Sequence, residues 1–209
     1  MRNRFLFTAT LFCVLSGIVL KCTTSVSGVE TTNGFSVTAT TGSITGKAPA
    51  YAQVFLFDTG FVPYLNSGTG LITTADAAGH FRFAATSAIC NILVVDSGSN
   101  SAGILTYTPS DFTDTNPSPA SLSRQLSETG TLEGSLHSPG EEQTLLYLPG
   151  LCYYRIVNGS DSFTFPALPP GTYHLRIMKL RRSPAETDYD TTVTVESGTV
   201  SYAGEISIE

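Results

Sequence analysis

Hydrophobic and polar residues alternate with a period of two along most of the chain, as in strands that bury one face. The alternation is clearest at Phe163 and Phe165, which share one face of a predicted strand. The Pro- and Gly-rich segment 166–171 interrupts the strand, because proline donates no ladder hydrogen bond and glycine permits a turn. A second strand then places Tyr173 and Leu175 on one face and His174 and Arg176 on the opposite, outward face. No stretch shows a sustained helical period, so the pattern predicts an all-β protein.

The same order of strands occurs twice along the chain. The matching segments are Ser43–Gly46 with Thr131–Gly134, Val54–Phe57 with Leu145–Leu148, Phe81–Phe83 with Phe163–Phe165, and Asn91–Val95 with Tyr173–Met178. This repeat predicts two tandem antiparallel β-sandwich domains of the transthyretin-like or Ig-like class, at residues 34–108 and 126–209. Residues 109–125, rich in Pro, Ser and Thr, are predicted to link them, and residues 23–33 to form a polar tether.

One predicted strand, residues 52–57, carries apolar side chains on both faces. Val54 and Leu56 share one face, and Phe55 and Phe57 share the other. This pattern predicts either a central strand covered on both sides or a strand that packs against a neighbouring domain.

Residues 1–22 have the pattern of an export signal. Arg2 and Arg4 precede the apolar run Phe5–Leu20, and a polar stretch follows. The apolar run is shorter than the roughly 20 residues that a membrane-spanning helix needs, and an uncleaved anchor is the alternative interpretation.

Two ways of processing this signal remain open. Cys22 lies where a bacterial lipoprotein carries its lipid, although Lys21 occupies a position that the signal peptidase prefers to be small. The competing interpretation is an ordinary cut after Ser25, Ser27 or Gly28, which would release a secreted protein. We favour lipidation at Cys22, since it would supply the two acyl chains that a stable membrane anchor requires.

Composition narrows the range of partners. The 209-residue chain has a net charge of −6, and removal of the signal would take away Arg2, Arg4 and Lys21. A chain this acidic is repelled by phosphates, and export separates it from intracellular nucleic acid. We therefore expect no nucleic-acid partner.

Two cysteines, Cys90 and Cys152, lie inside predicted strand-like stretches of the two halves. They are expected either to be buried thiols or to form a disulfide that bridges the halves. No Cys-x-x-Cys pair and no Cys/His spacing predicts a metal site, and no cofactor is predicted.

The recurring order of a strand ending in glycine, a Val/Leu strand, Phe-x-Phe and Pro-Pro-Gly-Thr-Tyr resembles the carboxypeptidase regulatory-like modules. The match is best at Gly159–Ile177 and looser at Ala52–Leu56 and Asp76–Phe83, where the Pro-Gly-Thr-Tyr element is missing. Glu30–Gly34 also resembles the start of bacterial envelope lipoproteins built from such modules. The resemblance implies a transthyretin-like or prealbumin-like sandwich and a non-catalytic role as a spacer, adhesion unit or accessory domain. The zinc-binding catalytic half of a carboxypeptidase has no counterpart.

Catalytic patterns are weak in this chain. His80, His137 and His174 belong to no His-Glu-x-x-His pair, and no Gly-x-Ser-x-Gly elbow occurs. A secreted hydrolase with dispersed catalytic residues is the minor alternative. Asp188 and Asp190 could offer calcium two carboxylates on one face, but we favour an acidic loop that enters a strand. The chain is predicted not to be an enzyme.

Two surfaces are candidates for binding. Lys179, Arg181 and Arg182 form a basic cluster, suited to anionic headgroups or an acidic polysaccharide, and its alternative is a solvated hairpin end. Phe61 and Tyr64 lie in a long loop and could stack on sugar rings, but we favour core or interdomain packing, because the chain contains no tryptophan.

The sequence thus predicts an exported protein of the cell envelope, membrane-anchored at the outer membrane or cell surface, or alternatively secreted. It would hold an envelope protein or a glycan through structural or adhesive β-sandwich modules. The alternative is a carbohydrate-binding accessory module.

Overall fold

The computed structural model describes residues 33–40, 42–65, 68, 70–84, 86, 88–108, 121–138, 143–180 and 187–208. The predicted signal at 1–22 with Cys22, the tether up to residue 32, most of the linker, and Arg181 and Arg182 lie outside the described residues. Within the described part, no helix is long and apolar enough to cross a membrane.

The first sandwich consists of two antiparallel sheets. Its strands are β1 (Gly34–Thr40), β2 (Ser43–Lys47), β3 (Gln53–Asp58), β4 (Gly70–Thr74), β5 (His80–Ala84), β6 (Cys90–Asp96), β7 (Ser101–Tyr107), β8 (Ser121–Gln125) and β9 (Ser127–Glu128). One sheet has the order β5-β2-β1-β8, and the other has the order β4-β3-β6-β7-β9.

The second sandwich also has two sheets. Its strands are β10 (Gly130–His137), β11 (Gln143–Tyr147), β12 (Tyr154–Asn158), β13 (Asp161–Leu168), β14 (Gly171–Lys179), β15 (Thr187–Val195) and β16 (Val200–Ser207). The sheet orders are β13-β10-β16 and β12-β11-β14-β15. The prediction of an all-β chain with tandem sandwiches is confirmed. One pair departs from the antiparallel rule, because β16 joins the sheet beside β10 and runs parallel to it.

The two sandwiches share a strand order, as the sequence repeat suggested. The order β4-β3-β6-β7 in the first sandwich matches β12-β11-β14-β15 in the second, and β5-β2 matches β13-β10. They differ in what lies next in the smaller sheet, which is β1 followed by β8 in the first sandwich but β16 in the second.

The end of the predicted linker belongs to the first sandwich. Residues Ser121–Gln125 form β8, which pairs with β1 so that Leu122 lies opposite Val37. Leu126 packs against the first core, and β9 pairs with the start of β7. Apolar residues at 122 and 126 give this segment too weak an alternation to be recognised among its Ser and Arg neighbours.

The predicted interruption at residues 166–171 is shorter than expected. Strand β13 continues through Pro166 to Leu168, and β14 begins at Gly171. The β10–β13 register shifts between Leu132 and Gly130, and Ala167 has a φ of 57°. A bulge therefore accommodates Pro166 without ending the strand, as is usual for proline in sheets.

Each sandwich encloses its own hydrophobic core. Residues with less than a tenth of their surface exposed form the first core and include Phe35, Val37, Ile44, Val54, Leu56, Phe81, Phe83, Cys90, Ile92 and Val94. The second core includes Leu132, Leu136, Leu146, Leu148, Phe163, Phe165, Leu175, Ile177, Val195 and Ile206. The alternating residues of the predicted strands supply both sets, as a period-two pattern requires.

A glycine opposite a phenylalanine recurs at the same place in both cores. Gly46 pairs with Phe81 across β2 and β5, and Gly134 pairs with Phe163 across β10 and β13. A Cβ on Gly46 would lie 2.6 Å from Phe81 Cε1, and one on Gly134 would lie 2.8 Å from Phe163 Cε1. The phenyl ring thus covers the bare glycine backbone, which explains why both strands of the repeat carry a glycine there.

The two glycines should respond differently to alanine. We expect Gly134→Ala to lower the free energy of unfolding by about 1–3 kcal/mol, because the new methyl overpacks against the Phe163 ring. Adding Phe163→Leu should recover part of the loss. Gly46→Ala should not be rescued by Phe81→Leu, since its Cβ would also overlap the backbone oxygen of Ser36. Urea denaturation of the four variants measures these differences, and equal rescue at both sites would contradict the analysis.

Candidate functional site

The outer face of β3 packs against the second sandwich rather than facing solvent. Phe55 and Phe57, together with Leu93 of β6, form a buried cluster on the side opposite the first core. Cys152 and Tyr153 from the second sandwich pack against this cluster. We call it the first interface cluster.

The corresponding strand of the second sandwich, β11, is covered in the same way. Leu145 and Tyr147 lie on its outer face and form a buried cluster with Met178 of β14. Val62, from the loop after β3, packs against them. This second interface cluster confirms that apolar residues on both faces mark strands covered by their own core and by the neighbouring sandwich.

Two loops bind the sandwiches to each other at the edge of these clusters. The Gly150 N–H donates to the Phe61 carbonyl at 2.9 Å, and Asn91 Nδ2 donates to the Gly150 carbonyl at 3.2 Å. Thr106 in turn donates to Asn91 Oδ1 at 3.0 Å. Both backbone groups of Gly150 are thus bonded to the first sandwich.

A cleft of about 430 Å³ lies beside this junction. Its walls come from both sandwiches, and the described residues that line it are Thr59, Asn91, Ile104, Thr106, Arg124, Pro149, Leu151, Pro170, Gly171, Thr172, Tyr173, His174 and Arg176. Cleft volumes of roughly 300–1,000 Å³ are typical of small-molecule sites, and such sites often lie between domains. The cleft is therefore the candidate functional site.

Three charged or titratable side chains form a cluster on the second-sandwich side of the cleft. Arg176 of β14 lies directly opposite Asp190 of β15, and Arg176 Nε donates to Asp190 Oδ2 at 2.9 Å. His174 Nδ1 lies 3.0 Å from the other oxygen, Asp190 Oδ1. Asp190 therefore fixes the orientation of both the His174 and the Arg176 side chain.

The same contacts fix the charges of this cluster. Burial acts to raise the pKa of Asp190, but hydrogen bonds and charges from His174 and Arg176 outweigh it, so the pKa lies below its ordinary value. The hydrogen bond to Asp190 raises the pKa of Arg176. Asp190 is consequently an anion and Arg176 a cation at neutral pH.

Arg124 of β8 supplies a second cation, from the first sandwich. Its side chain is exposed, and it makes no hydrogen bond or ion pair with another described residue. Burial raises the pKa of the Tyr173 phenol, and the positive charge of Arg124 lowers it by a smaller amount.

Two partly buried tyrosines near the cleft, Tyr153 and Tyr173, donate hydrogen bonds to the backbone. Tyr173 donates its hydroxyl to the Pro169 carbonyl, and Tyr153 donates to the Ala167 carbonyl at 2.8 Å. Burial raises the pKa of Tyr153 well above its ordinary value. Both phenols thus hold the turn between β13 and β14 as neutral donors.

The basic cluster predicted at 179–182 is wrong for Lys179. This side chain is only 5% exposed and lies opposite Thr144 near the end of β14. Lys179 follows the core residue Ile177 by two positions, so the alternation itself places it on the core face of β14. Met178 lies on the outer face, where it is buried with Leu145 and Tyr147, so three consecutive residues of β14 are buried.

The fold places the two loop aromatics, Phe61 and Tyr64, in different environments. Phe61 is half-buried and stacks on Phe57 with ring centroids 4.9 Å apart, so it is a packing residue of the interface and not an exposed platform. Tyr64 is 49% exposed, and its ring centroid lies 6.2 Å from that of Tyr154.

Cys90 and Cys152 form no disulfide in the structure. Cys90 is fully buried in the first core, and its thiol lies 3.5 Å from the Ala88 carbonyl. Cys152 belongs to the first interface cluster instead. Burial raises the pKa of the Cys90 thiol, in agreement with the interpretation as a small core residue.

The other candidate chemistries are placed as follows. Asp190 is bonded to His174 and Arg176, and the described residues contain no group of three or more potential metal ligands.

His137 Nδ1 lies 3.0 Å from the Ser160 hydroxyl, which also accepts the Ser138 N–H at 3.1 Å. That hydroxyl therefore joins two loop segments of the second sandwich.

Sequence reasoning did not find the cleft. Arg124 falls in the segment interpreted as a linker, and Asn91 and Thr106 looked like ordinary strand residues. His174 and Arg176 were placed on the outward face of their strand, which is correct, but the sequence carries no signal that the other sandwich lies against part of that face.

Comparisons with known proteins leave the family open. No family model matches the chain, and no curated protein matches it. The chain is similar to GBS52, the minor pilin of Streptococcus agalactiae, at 14% identity and a TM-score of 0.30, over 78% of this chain and 85% of that chain.

Two further solved structures are similar at a lower level. The Bacillus anthracis TIE protein is 11% identical, with a TM-score of 0.27, over 86% of this chain and 38% of that chain. Human GIVD cytosolic phospholipase A2 is 12% identical, with a TM-score of 0.23, over 78% of this chain and 29% of that chain. These similarities are too weak to assign a function. The all-β content of the predicted resemblance is confirmed by the strands themselves, and the carboxypeptidase regulatory-like family remains a prediction.

The junction between the sandwiches should depend on Gly150. Its φ is 70°, and an added Cβ would lie 2.7 Å from Asn91 Nδ2 and 3.1 Å from Thr59 Cα. We expect Gly150→Ala to accelerate hydrogen exchange of its own amide and to cost about 1–2 kcal/mol from the left-handed backbone alone. Gly60→Ala is the matched control, because the nearest atom to its Cβ is Asp58 Oδ1 at 3.6 Å. Unchanged exchange at residue 150 would contradict this account of the junction.

The ion pair in the cleft predicts a pH dependence with a defined sign. Because the folded pKa of Asp190 is depressed below 3.8, its contribution to stability is present above that pH and is lost as pH falls through the folded value. We expect the carboxyl-carbon NMR titration of Asp190 to have its midpoint below 3.8, and Arg176→Gln to move the midpoint upward. Arg82→Gln, at an exposed arginine of β5, should leave it in place. A midpoint that Arg176→Gln does not move would refute the assignment.

Proposed function

We propose that this protein is a non-catalytic, exported module of the cell envelope or cell surface that holds a glycan or protein partner. The observation that carries the proposal is the packed contact between the sandwiches, where Phe55, Phe57 and Tyr147 of two different sheets are buried outside their own cores. A cleft with walls from two domains keeps one shape only if such a contact holds the domains together. Preorganisation of this kind favours binding, because little ordering is needed when the partner arrives.

The polar groups around the cleft support binding rather than catalysis. Asn91, Thr106 and Asp190 are already bonded within the protein, and Thr172 Oγ1 lies 3.3 Å from Thr194 Oγ1. The described lining contains no serine or cysteine to act as a nucleophile, and its histidine, His174, has Nδ1 3.0 Å from Asp190 Oδ1. The raised pKa of Tyr173 makes that phenol a poor base at neutral pH.

The proposed location rests on the sequence of residues 1–22. A basic start, a short apolar run and a polar exit favour export, and Cys22 favours a lipid anchor over free secretion. The strongly acidic composition is compatible with a protein that meets neither nucleic acid nor the anionic cytoplasmic leaflet.

Intact mass and accessibility on living cells test this proposal. We expect the chain purified from the envelope fraction to begin at Cys22 and to carry a diacylglyceryl group, and we expect protease added to intact cells to degrade it. Cys22→Ser should abolish the mass gain and shift the protein out of the membrane fraction, while Cys90→Ser serves as the cysteine control. A chain recovered from the medium that starts near Val26 or Val29 would show that the protein is secreted and not anchored by lipid. A full-length chain in the cytosol would overturn the proposed function.

A further inference from the structure

The cleft gathers positive charge in an acidic protein. The whole chain has 11 Lys and Arg against 17 Asp and Glu, yet the described lining of the cleft contains Arg124, Arg176 and His174 and no carboxylate. Arg176 is balanced by its ion pair with Asp190, whereas Arg124 makes no ion pair with another described residue. Such a lining favours an anionic ligand, and a guanidinium can bind a carboxylate through two parallel hydrogen bonds.

The two arginines are prepared for contact in different ways. Arg176 is 41% exposed, lines the cleft and donates from Nε to Asp190 Oδ2. Because one of the five N–H groups of the guanidinium is fixed, its plane is held before a ligand arrives. Arg124 approaches from the opposite sandwich on an exposed stretch of β8. The pair therefore spans the cleft from wall to wall.

The rest of the lining suits a hydroxyl-rich ligand. Thr59, Thr106 and Thr172 line the cleft with Asn91, and although Thr106 donates to Asn91 Oδ1, its hydroxyl oxygen can still accept a hydrogen bond. Hydroxyls and amides can each donate and accept, which suits the hydroxyl groups of a sugar. Pro149 and Pro170 add small apolar patches to this lining.

We propose that the cleft between the sandwiches binds a carboxylate-bearing saccharide, with Arg124 as the residue that recognises the carboxylate and Arg176 as its partner across the cleft. This inference rests on the proposed function as a surface-binding module and names the class of its ligand. It relocates the anion-binding role from the end of β14, where Lys179 is buried, to the middle of that strand.

Calorimetric titration of the purified full chain with trigalacturonate tests the inference. We expect saturable binding, no binding of the neutral trisaccharide maltotriose, and an affinity about tenfold lower for Arg124→Gln, since one charge-assisted contact is lost. Arg82→Gln, the exposed arginine on β5, is the matched control and should bind like the wild type. Arg124 is exposed, so thermal unfolding of Arg124→Gln should match the wild type closely and exclude misfolding as the cause.

Three outcomes would overturn the inference. These are an absence of saturable binding, an equal loss of affinity in Arg82→Gln and Arg124→Gln, and equal binding of triglutamate and trigalacturonate, which would identify a carboxylate site without selection for sugar. NMR shifts at Thr106 and Thr172 upon titration should locate the bound sugar in the cleft. A surface-exposed protein that binds no uronate would leave the proposed function standing, whereas a cytosolic protein that binds uronate would overturn the proposed function alone.

Discussion

Strands β3 and β11 bury apolar side chains on both of their faces, and water can cover neither face without cost. Burying a phenylalanine or leucine is favourable by about 1.5–3 kcal/mol, so Phe55, Phe57, Leu145 and Tyr147 require a second layer in addition to the core. Each sandwich alone would expose one such face. Packing the two sandwiches together through the loops after β3 and β11 covers both faces at once. The domain arrangement follows from this constraint.

The glycine–phenylalanine pairs impose a second packing constraint, inside each core. At Gly46 and Gly134 the missing side chain makes room for a phenyl ring from the neighbouring strand, and the ring shields the backbone. The two sandwiches thus keep the core contact that joins β2 to β5 and β10 to β13. They differ in how the smaller sheet is completed, by β1 and β8 in one case and by the parallel strand β16 in the other. Because each core keeps its glycine–phenylalanine contact, the outer strands of the smaller sheet can differ between the two sandwiches.

The cleft arises where the interface ends. Beyond Tyr147 and Met178 the outer face of the second sandwich turns from apolar to charged, and there His174, Arg176 and Asp190 form their own hydrogen-bonded cluster. Charged side chains resist burial against a hydrophobic surface, so the sandwiches separate at this point and leave a space lined by polar groups. The same sheet face therefore provides both the surface that packs against the first sandwich and the candidate binding surface.

The sequence by itself determined the all-β class, the internal repeat and the two-faced strand, because each depends on local alternation with a period of two. It also identified His174 and Arg176 as outward residues. Only the tertiary structure decided that β8 belongs to the first sandwich, that the outer face around Met178 is buried, and that Arg124 and Arg176 line one cleft. Those features depend on contacts between residues far apart in the chain, and such contacts leave no periodic trace in the sequence.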